Sequence, residues 1–418
     1  MQKILLLIAS LFYFNFILAE NEIKSWQGIH ETPLSRLEQQ FAEPPVEFAN
    51  HVIWGWEGKM DKKTICNDLD SIKKKGFRAV IFEAGYKLPF KYLSEEWFKA
   101  IRTGVLEAKK RGMKVWIIDE GKYPSGFAGG KFSQERPDLR MQALVIGDTI
   151  QIKRGEVMTN HKIAQEIISA VAVSTSGAPN RTVAINNGEI SFNAGLDDWK
   201  ILLVKSDFRT AVTRAVNNPN GGKDATNSLC DYLNPVAVQQ FIDWTHEQYK
   251  KYLGKELGTT VLGFRGDEPD YAHLPWTPSI VQTFKDTKGY NPTPYLASFF
   301  TTSPTIQEQR VKADYWDVWS SLFATHFFKL QADWCAANGV AHITHLNKEH
   351  EMPACVKAEG DYFRNLSKVQ IPGVDAIWNQ IWPGTLNDFP KLASSVAHVY
   401  GKPRAFSESF AAYHISPT

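Results

Sequence analysis

Short apolar runs alternate with longer amphipathic stretches along most of this chain. The first three runs are rich in β-branched and aromatic residues and cover residues 51–56, 77–82 and 114–119. Helical patterns follow the first run near Lys62 and the second near Ser94, a serine that precedes two glutamates as helix N-caps often do. This alternation predicts a parallel sheet with crossover helices.

The pattern changes after residue 119. A glycine-rich loop, GKYPSGFAGGK, leads to a segment from about residue 142 to residue 208 in which apolar and polar residues alternate one by one. Turn sequences such as SGAPN and NNGE interrupt this segment. Such alternation is typical of antiparallel strands, and we therefore expect a small β-rich insertion.

Helical and strand patterns return after the insertion. Helical patterns cover residues 234–253, 314–338, 349–366 and 388–400, and strand patterns start at Thr259 and cover residues 341–346, 374–380 and 404–410. The seven strands predict an α/β fold, a (β/α)8-type TIM barrel with a β-rich insertion between strands three and four. The sequence ends at Thr418, where an eighth helix and strand would be needed. Three alternatives stay open: an incomplete barrel, an eighth strand supplied in another way, or a piece of a longer protein.

The first nineteen residues have the pattern of a signal peptide. Lys3 precedes an apolar run at residues 4–18, and Ala19 stands before the polar stretch. A membrane anchor is the alternative, but the run is short for a bilayer span and Asn15 interrupts it. We therefore expect export to the periplasm or the medium and no membrane span in the mature chain.

Four segments follow from these patterns. We expect a signal peptide at residues 1–19, the first part of the barrel at residues 20–140, the β-rich insertion at residues 141–225, and the remainder of the barrel at residues 226–418.

Composition narrows the range of partners. The chain is 43% hydrophobic and has a formal net charge of +2, so it can bury a large core and has no basic stripe for nucleic acid. Its four cysteines, Cys66, Cys230, Cys335 and Cys355, lie far apart without a CxxC spacing. We expect buried thiols rather than disulfides or a metal site.

Polar residues at the ends of the predicted strands are the candidates for chemistry, because barrels of this class form their active sites there. The residues predicted to bind a substrate are Trp54, Trp56, Glu83, Asp119, Glu120, Asp267, His345, Trp378, Asn379 and Trp382. Carboxylates beside tryptophans fit a sugar, since pyranose rings stack on flat apolar surfaces and acetal cleavage needs a proton donor opposite a base or nucleophile. The expected partner is an oligosaccharide or a polysaccharide.

Two carboxylates are the predicted catalytic pair. Glu268 lies in GDEPD after strand four, and Glu408 lies in FSESF at the end of strand seven, across the barrel mouth. Glu268 would protonate the departing glycosidic oxygen, and Glu408 would activate water or attack the anomeric carbon. The alternative for each is an ordinary helix-capping or loop carboxylate.

Other candidates have two interpretations each. His345 either binds sugar hydroxyls in the mouth or is a core histidine. Glu349 is either a third catalytic or cation-binding carboxylate or a first-turn residue of the next helix. Asp119 and Glu120 either bind sugar hydroxyls or a cation, or form hydrogen bonds to the adjoining glycine-rich loop.

Several segments resemble the glycoside hydrolase family 106 type of α-L-rhamnosidases and their relatives. The most specific are the PSGFAGG loop, the DYLNP segment before GDEP, and EGDYFRNL with IPGVD, within a resemblance that runs from about residue 51 to residue 410. The resemblance implies a barrel with a β-rich insertion and inverting hydrolysis of α-L-rhamnosides in plant-type polysaccharides. It also implies a calcium ion near the sugar, Glu268 as the acid and Glu408 as the base.

The same resemblance raises an alternative function. Members of the family usually continue into further β-sandwich domains, and relatives with this barrel act on other sugars as well. A truncated or degenerate barrel could bind glycans through Trp54, Trp56, Trp378 and Trp382 without cleaving them. The sequence therefore leaves a non-catalytic carbohydrate-binding protein open beside the glycosidase.

Overall fold

A computed structural model describes residues 33–212, 214–215, 226–271, 274–377, 380–381, 384 and 387–409. Its main element is a curled sheet of seven parallel strands whose spatial order is their order in the chain. The strands are β1 (His51–Trp56), β2 (Ala79–Ala84), β3 (Lys114–Ile118), β4 (Val261–Asp267), β5 (Ala341–His345), β6 (Ile371–Ala376) and β7 (Phe406–Ser409). The predicted α/β fold is confirmed at this level, as a half-barrel of seven parallel strands.

Both faces of the main sheet are buried in its centre. Ile81, Trp116 and Ile343 lie in one apolar cluster on the concave face, whereas Val80 and Phe82 pack on the convex face against the crossover helices. Strands covered on both sides are near-continuous apolar runs rather than alternating ones. The apolar cluster on the concave face forms a floor, above which the polar ends of the strands lie.

The α-helices span Leu34–Ala42, Lys62–Lys74, Glu95–Lys110, Lys131–Glu135, Pro235–Trp244, His246–Leu253, Ile280–Lys288, Ile306–Leu322, Lys329–Ala337, Met352–Glu359, Tyr362–Leu366 and Lys391–Val399. Among those that pack on the main sheet are Glu95–Lys110 on β3, Lys329–Ala337 on β5 and Lys391–Val399 on β6. Ser94 caps its helix as the sequence predicts, by accepting the N–H of Trp97 at 3.3 Å. The helix predicted from residue 314 begins earlier, at Ile306, because Thr305 and Glu308 form a capping box.

The prediction for β6 differs from the structure by three residues at the start of the strand and by four at its end. The sequence predicts a strand at residues 374–380, but β6 begins at Ile371 and ends at Ala376. Pro372 is paired in register with Thr344 of β5, and Gly373 with Phe406 of β7. The shift matters because it places Asp375 within the strand instead of at its start.

The chain between β3 and β4, together with one short strand after β4, forms antiparallel sheets. A five-stranded sheet contains, in spatial order, Pro275–Trp276, Gln142–Ile152, Trp199–Phe208, Ile167–Ser174 and Arg181–Val183, and a three-stranded sheet contains Val157–Lys162, Glu189–Asn193 and Ile185–Asn186. Lys122–Tyr123 pairs with Arg214–Ala215. Along one strand, Ile201 and Leu203 face a separate small core, whereas Leu202 and Val204 face the core shared with the helices.

The two edges of the main sheet approach each other at its amino-terminal end. Arg404, just before β7, donates from Nη1 to the carbonyl of Glu47 at 2.6 Å and lies 4.4 Å from the ring centroid of Phe48, just before β1. In the described part of the chain, β1 pairs only with β2, and β7 pairs only with β6. The curl is therefore bridged at its base by side-chain contacts rather than by strand pairing.

Two further expectations concern cysteines and membranes. Cys66, Cys230, Cys335 and Cys355 are all free thiols, as predicted. Among the described residues, no helix has the length and apolar character needed to cross a bilayer. The predicted signal peptide at residues 1–19 lies outside the described residues.

Gly263 in β4 is required by close packing. A Cβ atom there would lie 1.9 Å from the carbonyl oxygen of Ala341 and 2.6 Å from the ring of Trp116. We expect Gly263→Ala to lower the free energy of unfolding by about 3 kcal/mol or more, measured by urea denaturation. The matched control is Gly147→Ala, whose Cβ would meet only side-chain atoms of Lys205 and Ile167, at 3.1 Å or more. An equal loss in both variants would contradict the close approach of β4 and β5.

Candidate active site

The carboxyl ends of the strands bring charged side chains together on the concave face. Within the strands these are Glu83 of β2, Arg265 and Asp267 of β4, His345 of β5, Asp375 of β6 and Glu408 of β7. Strand register sets their order, because Asp267 is paired with His345 and Asp375 is paired with Glu408. Residues paired in parallel strands point to the same face, so these side chains form one layer above the apolar floor.

His345 is at the centre of this layer. Its Nε2 lies 3.6 Å from Oδ1 of Asp267, 3.6 Å from Oε1 of Glu268 and 3.8 Å from Oε2 of Glu408. Burial alone would lower the pKa of His345, but the hydrogen bond with Glu268 and the surrounding carboxylates outweigh it and raise the pKa to about 10. The imidazole is therefore a cation at neutral pH that faces three carboxylates from a side chain that is only 1% exposed.

Arg265 supplies the second positive charge of the layer. Its side chain is only 2% exposed, and its Nη2 contacts Oε2 of Glu408 and lies 3.4 Å from Oδ1 of Asp267. The guanidinium thus joins β4 to β7 across the curl. A buried guanidinium needs such carboxylate partners, because the desolvation of an unpaired charge costs several kcal/mol.

Glu268 and Glu408, the predicted catalytic pair, are brought together by this arrangement. Each has one carboxylate oxygen near His345 Nε2, so these oxygens are at most the sum of the two distances, 7.4 Å, apart. Both side chains are 16% exposed and are therefore open to a ligand. Glu268 has a backbone φ of +37°, a left-handed conformation that non-glycine residues rarely adopt and that recurs at functional sites.

Two buried carboxyls lie beneath the pair. Burial raises the pKa of Glu349 to about 8 and that of Asp375 to about 7, and in both cases neighbouring carboxylates add to the shift. Glu349 Oε1 accepts the N–H groups of Leu346 and Asp375 at 3.0 and 3.3 Å. Glu349 precedes the helix Met352–Glu359 and is not a first-turn residue of it, which corrects that one of its two interpretations.

The cluster also has the geometry of a cation site. Two groups, Asp267 with His345 and Glu408, and Glu268 with His345 and Asp375, each place their ligand atoms within 4.8 Å of one another. Oδ1 of Asp375 is buried and has no hydrogen-bond partner among the described residues. An unpaired carboxylate oxygen in an acidic cluster fits a hard divalent cation such as Ca²⁺, which prefers oxygen ligands.

Asp119 and Glu120 hold the glycine-rich loop instead of facing the mouth. The two carboxylate oxygens of Glu120 accept four backbone N–H groups at 2.5 to 2.9 Å, from Gly121, Phe127, Ala128 and Gly129. Asp119 Oδ1 accepts the hydroxyl of Ser125 at 2.6 Å. Both acids are at most 1% exposed, so the geometry favours the structural alternative over sugar binding.

Trp54 and Trp56 point away from the mouth, which corrects their predicted role. Trp56 is fully buried and packs 5.0 Å from Phe82, whose ring is also 5.4 Å from Trp54. Gly55 is the residue of β1 that faces the mouth, since a Cβ there would lie 3.4 Å from Glu83. Side chains alternate along a strand, so the neighbours of Gly55 must lie on the convex face.

Of the four remaining candidates for substrate binding, the structure describes Glu83. Glu83 lies in the charged layer, 14% exposed, with Oε1 2.8 Å from Nζ of Lys122. Burial raises its pKa, and Lys122 partly offsets this effect. Trp378, Asn379 and Trp382 lie outside the described residues.

Comparison with known protein families shows the family to which the chain belongs. The family model of glycoside hydrolase family 106, described as alpha-L-rhamnosidase, matches residues 161–417, which is more than half of the chain. The chain belongs to glycoside hydrolase family 106. The match includes β4 to β7 and both members of the predicted catalytic pair.

Two relatives place the family 106 chain among longer proteins. A protein of Formosa agariphila that carries the name "Putative beta-glucuronidase" is 24% identical over 90% of this chain and 35% of its own length. A rhamnosidase from Novosphingobium sp. PP1Y has a similar structure, with a TM-score of 0.65, 15% identity, and coverage of 91% of this chain and 53% of its own. The chain thus spans about a third to a half of these relatives, and at such identity the second shows the fold alone.

The site of this family 106 chain contains residues that the sequence analysis did not select. Arg265 and Asp375 are charged residues inside apolar strands. Side chains alternate between the two faces along each strand, and this alternation places both residues on the concave face, as it does Ile343 of β5. Tyr123 and Asn347 follow β3 and β5, and Nδ2 of Asn347 donates to the hydroxyl of Tyr123 at 3.3 Å. No local signal in the sequence distinguishes these two loop residues from their neighbours.

Glu120→Gln tests the structural role of Glu120. The amide of glutamine has one acceptor oxygen and would turn an NH2 group towards backbone N–H donors, so buried donors would lose their partner. We expect the free energy of unfolding to fall by about 3 kcal/mol in urea denaturation. The control is Glu95→Gln, which removes an exposed carboxylate paired with Lys99 and which we expect to change stability by less than about 0.5 kcal/mol. An unchanged free energy of unfolding in Glu120→Gln would contradict the contacts between Glu120 and the loop.

Glu349 makes the stability of the fold depend on pH. Its pKa is about 8 in the folded chain and 4.5 as the ordinary value, so the folded state binds one more proton between these limits and loses stability as the pH rises through them. We expect wild type to lose up to about 1.4 kcal/mol per pH unit relative to Glu349→Gln, measured in chelator by urea denaturation from about pH 5.5 to 7.5. A difference that does not change with pH would show that Glu349 is ionised in the fold.

Proposed function

We propose that this chain is the catalytic part of an exported α-L-rhamnosidase that hydrolyses rhamnosides of plant-type polysaccharides with inversion. The observation that carries the proposal is the approach of Glu268 and Glu408 to the same nitrogen, Nε2 of His345, at 3.6 and 3.8 Å. Two carboxylates that line one mouth are the arrangement that glycosidic cleavage needs.

The roles within the pair are those that the family resemblance implies. Glu268 has the aromatic hydroxyl of Tyr123 as a hydrogen-bond partner and gives its proton to the departing glycosidic oxygen. Glu408 is in an ion pair with Arg265 and, in its ionised form, takes a proton from the attacking water. The water oxygen bonds to the anomeric carbon on the face opposite the leaving group, so the configuration inverts.

The carboxylate separation supports inversion without requiring it. Inverting enzymes separate their carboxyl groups by roughly 6.5 to 9.5 Å, and retaining enzymes by about 5 to 5.5 Å. The limit of 7.4 Å between the two oxygens near His345 admits both ranges. Inversion therefore depends on family membership, and the anomeric form of the first product, observed by NMR, tests it.

A calcium ion fits the acidic part of the site. Asp375 would hold it through its unpaired Oδ1, and the charge of the ion would offset the neighbouring carboxylates. The ion would supply positive charge and ligand positions for sugar hydroxyls. Arg265, His345 and the carboxylates bind and orient the substrate through their own hydrogen bonds.

Export and the complete barrel belong to the same proposal. Residues 1–19 have the pattern of a signal peptide, which supports delivery to the periplasm or the medium. Seven parallel strands in chain order agree with a (β/α)8-type barrel that has one more βα unit. The acidic mouth and the absence of a basic stripe in the sequence favour a saccharide and not nucleic acid as the partner.

Glu268→Gln is the primary test. We expect kcat for α-L-rhamnosides with poor leaving groups to fall by about three orders of magnitude or more, because the amide cannot donate the acidic proton. The assay uses purified wild type and variant on a panel of nitrophenyl and phenyl glycosides, including α-L-rhamnoside and β-D-glucuronide, with and without calcium. Glu57→Gln is the control, since Glu57 is an exposed carboxylate after β1 that accepts the N–H of Tyr86.

Two outcomes would count against the proposal. Turnover of the glucuronide but not of the rhamnoside would support a glycosidase that acts on a sugar other than rhamnose. A folded wild type that binds glycans but cleaves none of the panel would instead support the carbohydrate-binding alternative, in which Glu268→Gln has no turnover to remove.

A further inference from the structure

The hydrogen-bond partners of the Tyr123 hydroxyl define the direction of its O–H bond. Nδ2 of Asn347 donates to this hydroxyl at 3.3 Å, and the hydroxyl is also hydrogen-bonded to the carboxylate of Glu268. An amide nitrogen donates and does not accept, so Asn347 uses a lone pair of the phenol oxygen. The single phenolic proton is left for Glu268, and Tyr123 is the donor in that bond.

The backbone near Tyr123 is fixed to the strand that carries Glu268. Two residues after Tyr123, the N–H of Ser125 donates to the carbonyl of Asp267 at 2.9 Å, and the hydroxyl of Ser125 accepts the N–H of Asp267 at 2.7 Å. The hydroxyl of Tyr232 donates to the carbonyl of Ser125. Tyr123 and Glu268 are therefore each within two residues of one tight backbone contact.

Asn347 is fixed from the other side of the mouth. It follows β5 by two residues, and its N–H donates to Oε1 of Glu359 at 2.8 Å. Glu359 is fully buried and lies at the end of its helix, Met352–Glu359. The direction of the Tyr123 hydroxyl is thus set by an amide whose own backbone is anchored in the core.

We propose that Tyr123 is the positioning residue of the acid Glu268, with Asn347 orienting the Tyr123 hydroxyl. The role rests on the proposed function. During cleavage, the O–H bond of Glu268 breaks, the proton moves to the glycosidic oxygen, and the electrons of the bond to the anomeric carbon leave with that oxygen. Tyr123 keeps its own proton, and its hydrogen bond strengthens as negative charge develops on Glu268.

A residue that orients the acid has a specific kinetic signature. Substrates with poor leaving groups need full proton donation, whereas 2,4-dinitrophenyl glycosides leave with little help. We expect Tyr123→Phe to lower kcat by about 10- to 100-fold for phenyl α-L-rhamnoside and by less than about threefold for the 2,4-dinitrophenyl analogue, with KM near that of wild type. Asn347→Ala should show the same trend with a smaller effect, and it carries the test if Tyr123→Phe does not fold.

Tyr290→Phe is the matched control. The Tyr290 hydroxyl also donates to a carboxylate, Asp314 Oδ2, at 2.6 Å, but on the helical side of the molecule. We expect its kinetics to equal those of wild type for both substrates. Equal losses for both leaving groups, or a higher KM with unchanged kcat, would overturn the role of Tyr123 and leave the proposed function intact. A Glu268→Gln variant as active as wild type would overturn the proposed function itself.

Discussion

The ion pairs of Arg265 are the interaction on which the mouth of this curled sheet depends. Parallel strands direct Asp267, Glu408 and their neighbours to one small, poorly hydrated space, where like charges repel and desolvation is costly. The guanidinium contacts the carboxylates of Asp267 and Glu408 at once, from a side chain that is only 2% exposed. With the protonated His345, it allows several carboxylates to share the site, whereas burial raises the pKa values of Glu349 and Asp375.

A second layer of buried polar contacts holds the backbone around these charged side chains in place. Glu120 holds the glycine-rich loop through backbone N–H groups, and Ser125 joins that loop to the end of β4. These contacts lie behind the mouth and do not face a substrate. Their effect is that the left-handed backbone at Glu268, which costs free energy by itself, is fixed by its surroundings. Rigid support of this kind is what keeps a proton donor aligned with a leaving group.

The sequence predicts most of the sheet and part of the site, for physical reasons that differ between residues. Buried parallel strands are apolar runs, so β1 to β5 can be located closely, and Glu268 and Glu408 are found because they follow such runs. Trp56 was assigned to the mouth because it ends a strand, although alternation with Gly55 places it on the other face. Glu120 could not be resolved, because a carboxylate that binds a sugar and one that binds a loop have the same local sequence.

The two catalytic candidates are held by different means, and this difference has a consequence for the base. Glu268 follows a strand that is paired on both sides and is fixed by the loop at Ser125. Glu408 lies on β7, which pairs only with β6 in the described part of the chain, so backbone hydrogen bonds constrain it from one side. The contact with Arg265 supplies the missing constraint from across the curl. The same guanidinium that balances the charge of the mouth therefore also fixes the distance between base and acid, which is the quantity that decides the stereochemistry of hydrolysis.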